Sequence, residues 1–522
     1  MNTSKISILS SILLCATLVL PAAAASTRQV PGQRSTLQHY VLFDVGSFGG
    51  GFSGFCYPNC RQLNSKSVGV GISATALADP FDPDCFYDCH ADHAFLSRRR
   101  NAPKDLSALQ DSVSSWGQGI NDKGAVAGIS QNGDIDPATG FWETRAVLWK
   151  HGSIKDLGTL GGTQSNAWMV NNAGRGVADS LTSDSNDPYI NVPQANCRWL
   201  PTTGTNCGEL DFGTNTIFFP LTTAVHGATW TKAAQTLADV GTLGGPDSSA
   251  IDINDAGQIV GWSYVSYTAG SAGVPDTQAF IWDKKNGMNS LPGLGGTFTA
   301  AEQINQNGQI SGLANTANDA ELHAVVWDAD QSHPIHDRGT LGSDYAHPDW
   351  MNDAADIVGF SRNASSQGRA FVYWHDGNHM IDLGTIGSDP ESEATGINNN
   401  GMIVGLTFDR DVGDLKGWVS DNGGPITDLN TVVKRAHGLH INTANSINDR
   451  GVIAANATDR DGAPHAVVLV PESALDVIAE MEAAMKQMPP AAQPVSRAKA
   501  MRAAKPNCGA RVGLRPAICR RG

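Results

Sequence analysis

The sequence predicts an all-β protein built as a single β-propeller, with eight four-stranded blades, or seven as the alternative. Three observations lead there. One segment is rewritten along the chain: DLGTLGGTQSNAWMVNNAGRGVADS from Asp156, DVGTLGGPDSSAIDINDAGQIVGWS from Asp239 and DLGTIGSDPESEATGINNNGMIVGLT from Asp382. Aligned on itself, the chain gives eight copies with a fixed asparagine: Asn64, Asn121, Asn171, Asn254, Asn305, Asn352, Asn398 and Asn448. Most gaps are 46 to 57 residues and one is 83, a period that marks arrays of small sheets. The ends supply the third observation. YVLFDVG (40–46) reads as a fourth strand with no unit before it, and PHAVVLVP (464–471) as a third strand with no fourth after it. A circular array in which the N-terminal strand completes the last sheet leaves no open edge. The seven-bladed alternative absorbs one degenerate copy as an insertion. The weakest copy is Cys60 to Ala94, although LNSKSVGVGIS (63–73) aligns without a gap to INDKGAVAGIS (120–130).

Each unit is read from its turns. A first strand ends in AIDIN (250–254), DAG (255–257) turns the chain, and QIVGWS (258–263) is the second strand. Asn and Asp hydrogen-bond their own backbone two residues on, and Gly takes positive φ without steric penalty. INDAG, INDKG and INDRG are therefore hairpin turns between apolar runs, and the eight asparagines are structural turn residues. A variable stretch follows, then a third strand such as QAFIW, a short polar turn, and a fourth strand ending in DLG before TLGG.

Outside the repeats, MNTSKISILSSILLCATLVLPAAAAS has one lysine, an apolar core and small residues before Ser26. This predicts a signal peptide over residues 1–25 and an exported protein, secreted or periplasmic. No later stretch is apolar enough to span a membrane as a helix. Removing Cys15 leaves eight cysteines in neighbouring pairs, an even number suited to an oxidising compartment. Cys56, Cys60, Cys85, Cys89, Cys197, Cys207, Cys508 and Cys519 are the candidate disulfide residues; the first four can pair within or between their CxxxC units. The formal charge of −15 excludes a general nucleic-acid binder.

The segments HAF (93–95), DLGTLGG (156–162), INDAGQIVG (253–261) and DLNTVV with SINDRGVIAANATDRDGAPHAVVLVP resemble the HAF-repeat family of extracellular proteins. The resemblance covers most of residues 40–471. It implies export and a repeated β fold, and it carries no catalytic residue across. The Cys-containing insertions and the basic tail depart from a plain member.

Function is sought on the loops. In a four-stranded blade the NDxG turn and the turn after strand three share one end. The variable connection between strands two and three shares the other end with GTLGG. The length variation falls on that second end, at 74–92, 181–226, 131–143 and 264–276. Loops on a rigid scaffold carry binding, so this end is the expected binding face, for a glycan or a protein. Within 181–226, CRWLPTTGTNCGELDFG (197–213) and HGATWTKAAQTLADVG (226–241) both read as strands three and four, and one hairpin is extra.

Several motifs were weighed as chemistry. His93, His226, His323 and His465 open third strands, but other copies hold Arg145, Gln278, Arg369 and Lys416 there. These residues share hydrogen-bond donation, not metal ligation, so the position is read as a structural donor bracing the neighbouring hairpin. DINDAG (252–257) lacks the acids for calcium in other copies. DPFDPDCFYDCHADH (79–93) gathers Asp79, Asp82, Asp84, Asp88, Asp92, His90 and His93 beside Cys85 and Cys89. Export favours disulfides there over a zinc site. No metal, cofactor or catalytic residue is assigned. HExxH, Walker and GxSxG patterns are absent. Carboxylates from different blades could still meet across the propeller top, so the rival reading is an extracytoplasmic hydrolase of carbohydrate or another polymer.

After the propeller (40–471), residues 472–488 are read as an amphipathic helix. Ser473 is its cap, and Leu475, Ile478, Met481, Met485 and Met488 share one face. Residues 489–522 are a Pro/Ala linker and a basic tail. Arg497, Lys499, Arg502, Lys505, Arg511, Arg515, Arg520 and Arg521 stand there without an acid, a composition suited to an anionic surface. The function the sequence points to is that of an exported, non-catalytic binding or scaffold protein.

Overall fold

The computed structural model describes residues 38–477, except 57–60, 81–89, 98–102, 138–139, 141, 189–222, 271–272, 410–411, 435 and 475. Contacts divide the chain into Met1–Arg34, which lies outside the described residues, and Ser35–Gly522. The described chain is a β-propeller made of antiparallel strands, with one short α-helix, Leu429–Val432. The signal peptide expected over 1–25 and most of the helix expected over 472–488 lie outside the described residues. Within the latter span, Glu472–Ala474 forms a single 3-10 turn.

The blade template is clearest at Ser248–Ile253, Ile259–Tyr264, Thr277–Asp283 and Gly287–Ser290, which pair in sequence order as an antiparallel meander. The same order recurs on both sides. Neighbouring units touch through single parallel bridges, such as Thr277↔Phe298 and Leu322↔Tyr345. The unit after Asn171 uses Val225–Trp230 and Ala238–Asp239 as strands three and four. Of the two competing hairpins, 226–241 therefore belongs to the blade, and 197–213 lies outside the described residues. Tyr40–Asp44 pairs antiparallel with Pro464–Pro471, Tyr40 opposite Pro471 and Asp44 opposite Val467.

The core lies between neighbouring sheets. Val260, Ala279 and Ile281 of one unit pack with Ala301, Ile304, Val325 and Trp327 of the next. Small residues facing large ones let twisted sheets approach closely. The second-strand glycine of IVG has a sharper reason. In seven copies the first strand carries a bulge three residues before its asparagine, as between Ala301 and Gln303. A Cβ on Gly312 would stand 2.0 Å from the Ala300 carbonyl oxygen, and one on Gly261 would stand 1.9 Å from that of Ser249. Glycine holds this position opposite the bulge in five copies, and alanine, the next smallest residue, holds it in two, at Ala178 and Ala455.

The recurrent asparagine does two jobs. Its Oδ1 accepts from the backbone N–H groups two and four residues on; for Asn398 these are Asn400 and Met402, at 3.0 and 2.9 Å. Its Nδ2 donates to the carbonyl of the next copy's asparagine. The bonds run Asn64 to Asn121, Asn171, Asn254, Asn305, Asn352, Asn398 and Asn448, and Asn448 donates back to Asn64, all at 2.8–3.3 Å. An aspartate could not donate, and a serine could not span both. The following residue forms a second belt. Its side chain accepts from the backbone N–H of the equivalent residue one copy earlier, as Asp122 does from Ser65 and Asn172 from Asp122. This belt accounts for the Asp or Asn in NDxG.

Candidate binding face and axial polar cluster

The third-strand histidines lie against the DLG aspartates. His93 Nδ1 meets Asp105 at 2.9 Å, His226 meets Asp239 at 2.8 Å, His323 meets Asp337 at 2.8 Å and His465 meets Asp44 at 3.1 Å. Each aspartate also accepts from a backbone N–H two residues on, as Asp239 does from Gly241 and Asp337 from Gly339. The histidine thus braces the fourth strand of its own hairpin and not, as expected from sequence, the neighbouring hairpin. The arginines do reach across: Arg145 donates to the Thr163 carbonyl and Arg369 to that of Pro390, both in the next unit. Lys416 contacts Asp389 and Asp414. Gln278 sits in the copy whose fourth strand ends at Ser290 without an aspartate. The carboxylate partner raises the pKa of His226 against the effect of burial, and does so foremost for His323. Asp239 and Asp337 are lowered by the same pairs, which outweigh desolvation.

Cys56 is half-buried beside Phe52, Ile72 and Trp116. The other seven candidate disulfide cysteines lie outside the described residues, as do Asp82, Asp84 and Asp88. Among the described residues, no group of three or more His, Cys, Asp or Glu side chains is arranged to hold a metal ion.

The variable end is partly strand. Val70–Ala78 and Val126–Ile135 carry the second strand into two of the expected insertions. Among the described residues, the exposed large hydrophobics are Leu77 (68%), Ile135 (37%), Tyr267 (50%) and Val412 (73%). All four stand at strand two–three connections, in four different units. Exposed apolar side chains gathered on one end of a molecule mark interaction sites more than scattered ones do. The same connections are acidic, with Asp134, Asp184, Asp276, Glu321, Asp414 and Asp461 at or beside them. Arg362 and Arg460 are basic residues at comparable positions.

A second constellation was not foreseen. The bulged position of the first strands holds Gln118, Trp168, Ile251, Glu302, Asp349, Thr395 and Asn445. The column before the bulge is mainly Ala or Gly and the column next to the asparagine is Ile, Leu, Val or Met, while the one directly after the bulge, Gly119, Met169, Asp252, Gln303, Trp350, Gly396 and Ser446, varies as the bulge does. That pair of variable columns between uniform ones is legible in the aligned copies. Glu302, Asp349 and Glu393 gather there with His347, whose Nδ1 lies 2.9 Å from Asp349 Oδ1. Burial pushes the Glu302 carboxyl up to about 7, helped by Asp349 and opposed by His347. It raises Asp349 well above the usual carboxylate range and lowers His347. The three carboxyl groups are 8%, 1% and 1% exposed. Burial of this kind favours the neutral carboxyl forms of Glu302 and Asp349. Nearby, Asp252 accepts from the Ile304 N–H at 3.0 Å and meets Arg61 at 3.4 Å. Arg61, from the first copy, also lies over Trp350 of the sixth. Asp179 is a further buried carboxyl. It accepts from Trp168 Nε1, Ser249 Oγ and the Ala250 N–H, yet burial still holds its pKa at about 7.

No protein-family model matches the chain, and no curated protein matches it. Solved structures do. TolB from Acinetobacter baumannii shares 12% identity at a TM-score of 0.29, over 60% of this chain and 62% of that one. A puromycin-hydrolyzing peptidase of Mycobacterium tuberculosis shares 11% at 0.40, over 70% and 53%. A lectin of Aleuria aurantia shares 11% at 0.28, over 62% and 92%. The chain thus spans less than two thirds of the length of the first two. At these TM-scores the likenesses carry no argument about chemistry. No described helix is long and apolar enough to cross a membrane.

Proposed function

We propose that this chain is an exported, non-catalytic binding or scaffold protein of the HAF-repeat type. Its ligand surface is the strand two–three end of an eight-bladed propeller closed by Tyr40–Asp44. The observation that carries the binding face is the placement of Leu77, Ile135, Tyr267 and Val412, all on that end. Eight blades and closure by the N-terminal strand are supported by the asparagine bonds that return from Asn448 to Asn64. They are also supported by the pairing of Asp44 with His465, the contact every other His-bearing copy makes within its own hairpin. Export follows from residues 1–25, and the eight cysteines then form disulfides.

The test is a thermal-melt screen of oxidised residues 26–522 against glycans, candidate proteins and divalent ions with a chelator control. A ligand at about a hundred times its Kd stabilises by about 2.7 kcal/mol. A glycan or protein that shifts the midpoint supports the reading. A calcium shift reversed by chelator would replace it with an ion site.

A second reading, an extracytoplasmic hydrolase of carbohydrate or another polymer, is favoured by the Glu302, Asp349 and Glu393 carboxyls gathered with His347. Their burial weighs against it, because a polymer must reach both an acid and a base. Release of new reducing ends from any glycan hit, abolished by Glu302→Gln, would establish it.

A further inference from the structure

The strand two–three end is acidic in nearly every unit and carries exposed apolar side chains. The same chain ends in a segment of opposite character. Residues 497–522 hold eight Arg and Lys residues and no acid, interleaved with Met501, Val512, Leu514 and Ile518. We propose that this tail docks on the strand two–three end of its own propeller. The proposal rests on that end being the binding face.

Charge complementarity selects the surface. The acids Asp134, Asp276, Glu321, Asp414 and Asp461 are exposed there. Most basic residues along the same rim are already engaged, Arg145 with Glu143, Arg369 with the Pro390 carbonyl, Lys416 with Asp389 and Asp414, and Arg362 with Asp344 at 3.9 Å, while Arg460 is exposed; of the acids, Glu321 also meets His323. The opposite end is mixed, with Lys66, Lys123, Arg175 and Lys285 interspersed among Asp122, Asp255 and Asp353. A polycation is drawn to the first end and only weakly to the second. Reach allows it. The described chain ends at Val477, buried among Val45, Phe55 and Val470. Nineteen residues, 478–496, lead to the tail. Extended, they span about 60 Å; with a helix through 488, still about 40 Å. A ten-residue strand such as Gly295–Ile304 is about 33 Å long.

The experiment is zero-length amine–carboxylate cross-linking of the full chain, read by mass spectrometry, on an equal mixture of unlabelled and isotope-labelled protein. At about 0.01 M salt, Lys499 and Lys505 should join to Asp134, Asp276, Glu321, Asp414 or Asp461, within one isotopic label. At about 1 M salt, where the screening length falls to about 3 Å, the yield should collapse. Cross-links to Asp122, Asp255 or Asp353 at equal yield, or none at all, would overturn the proposal. Mixed-label products would overturn it in favour of docking between copies. As a second arm, a synthetic 497–522 peptide should bind the chain whose eight tail Arg and Lys residues are changed to Gln. It should lose most of that binding when Asp134→Asn, Asp276→Asn, Glu321→Gln and Asp461→Asn are added. If screen ligands still need the strand two–three end but no tail contact is found, only the tail proposal fails.

Discussion

Asn398 offers the sharpest test of how the repeat is held together. Its buried side chain accepts from Asn400 and Met402 and donates to the Asn448 carbonyl at 2.9 Å. Asn398→Ala removes all three bonds. At a net value of about 1 kcal/mol each, the loss is about 3 kcal/mol, more if Met402 N–H and the Asn448 carbonyl find no other partner. Asn398→Asp keeps both acceptor bonds but loses the donor and sets a buried carboxylate against a carbonyl oxygen. It should therefore lose at least about 1 kcal/mol at neutral pH. Protonation lets the new carboxyl donate, so this deficit should shrink as pH falls. Denaturant unfolding at two pH values, with exposed Asn286→Ala as the control, measures each term. If Asn398→Asp matched the parent at neutral pH, or if Asn398→Ala cost no more than the control, the bond to the next copy would not matter and the argument for the recurrent asparagine would fall.

Other outcomes follow from the same geometry. Gly312→Ala, whose Cβ would meet the Ala300 carbonyl oxygen, should destabilise by about 1–3 kcal/mol without preventing folding, since Ala178 and Ala455 hold the same position in two copies, while Gly51→Ala, with nothing within 4 Å, should stay near neutral; denaturant midpoints decide. His226 and His323 have raised pKa values, so their stabilisation is complete below their unfolded pKa near 6.5 and is lost as pH rises through the folded value. The deficit of His226→Gln with His323→Gln should accordingly be larger at pH 5.5 than at pH 8.5. Glu302 runs from 4.5 to about 7, so the fold loses up to about 3 kcal/mol as pH rises across that window; Glu302→Gln should remove this dependence and be the more stable protein at pH 8.

The fold was legible because its rules are local. Asx turns, positive-φ glycines and the glycine opposite the bulge recur at fixed spacing, so aligned copies display them. The offset ends were legible for the same reason, since an unmatched fourth strand at 40–46 and an unmatched third at 464–471 point at each other. The direction of the histidine brace was not legible, because sequence spacing does not say whether a donor turns to its own hairpin or the next. Arg145 and Arg369 reach onward through longer side chains, while the histidines stay on their own hairpin aspartates. The axial carboxyls escaped for another reason. Glu302, Asp349 and Glu393 come from three copies, and their nearness is set by the packing of first strands rather than by any motif. The variable connections read as loops, yet 131–135 extends a strand, because a lengthened hairpin and a loop insertion look alike in length alone.

The central claim is that ligands meet the strand two–three end. Its most direct test takes any ligand from the thermal screen to two surface variants by titration. One carries Leu77→Ser, Ile135→Ser, Tyr267→Ser and Val412→Ser; the other carries Lys123→Ser, Lys232→Ser and Lys285→Ser on the opposite end. Binding should be lost in the first and kept in the second, with both folded. Binding kept in the first and lost in the second would contradict the assignment of the face.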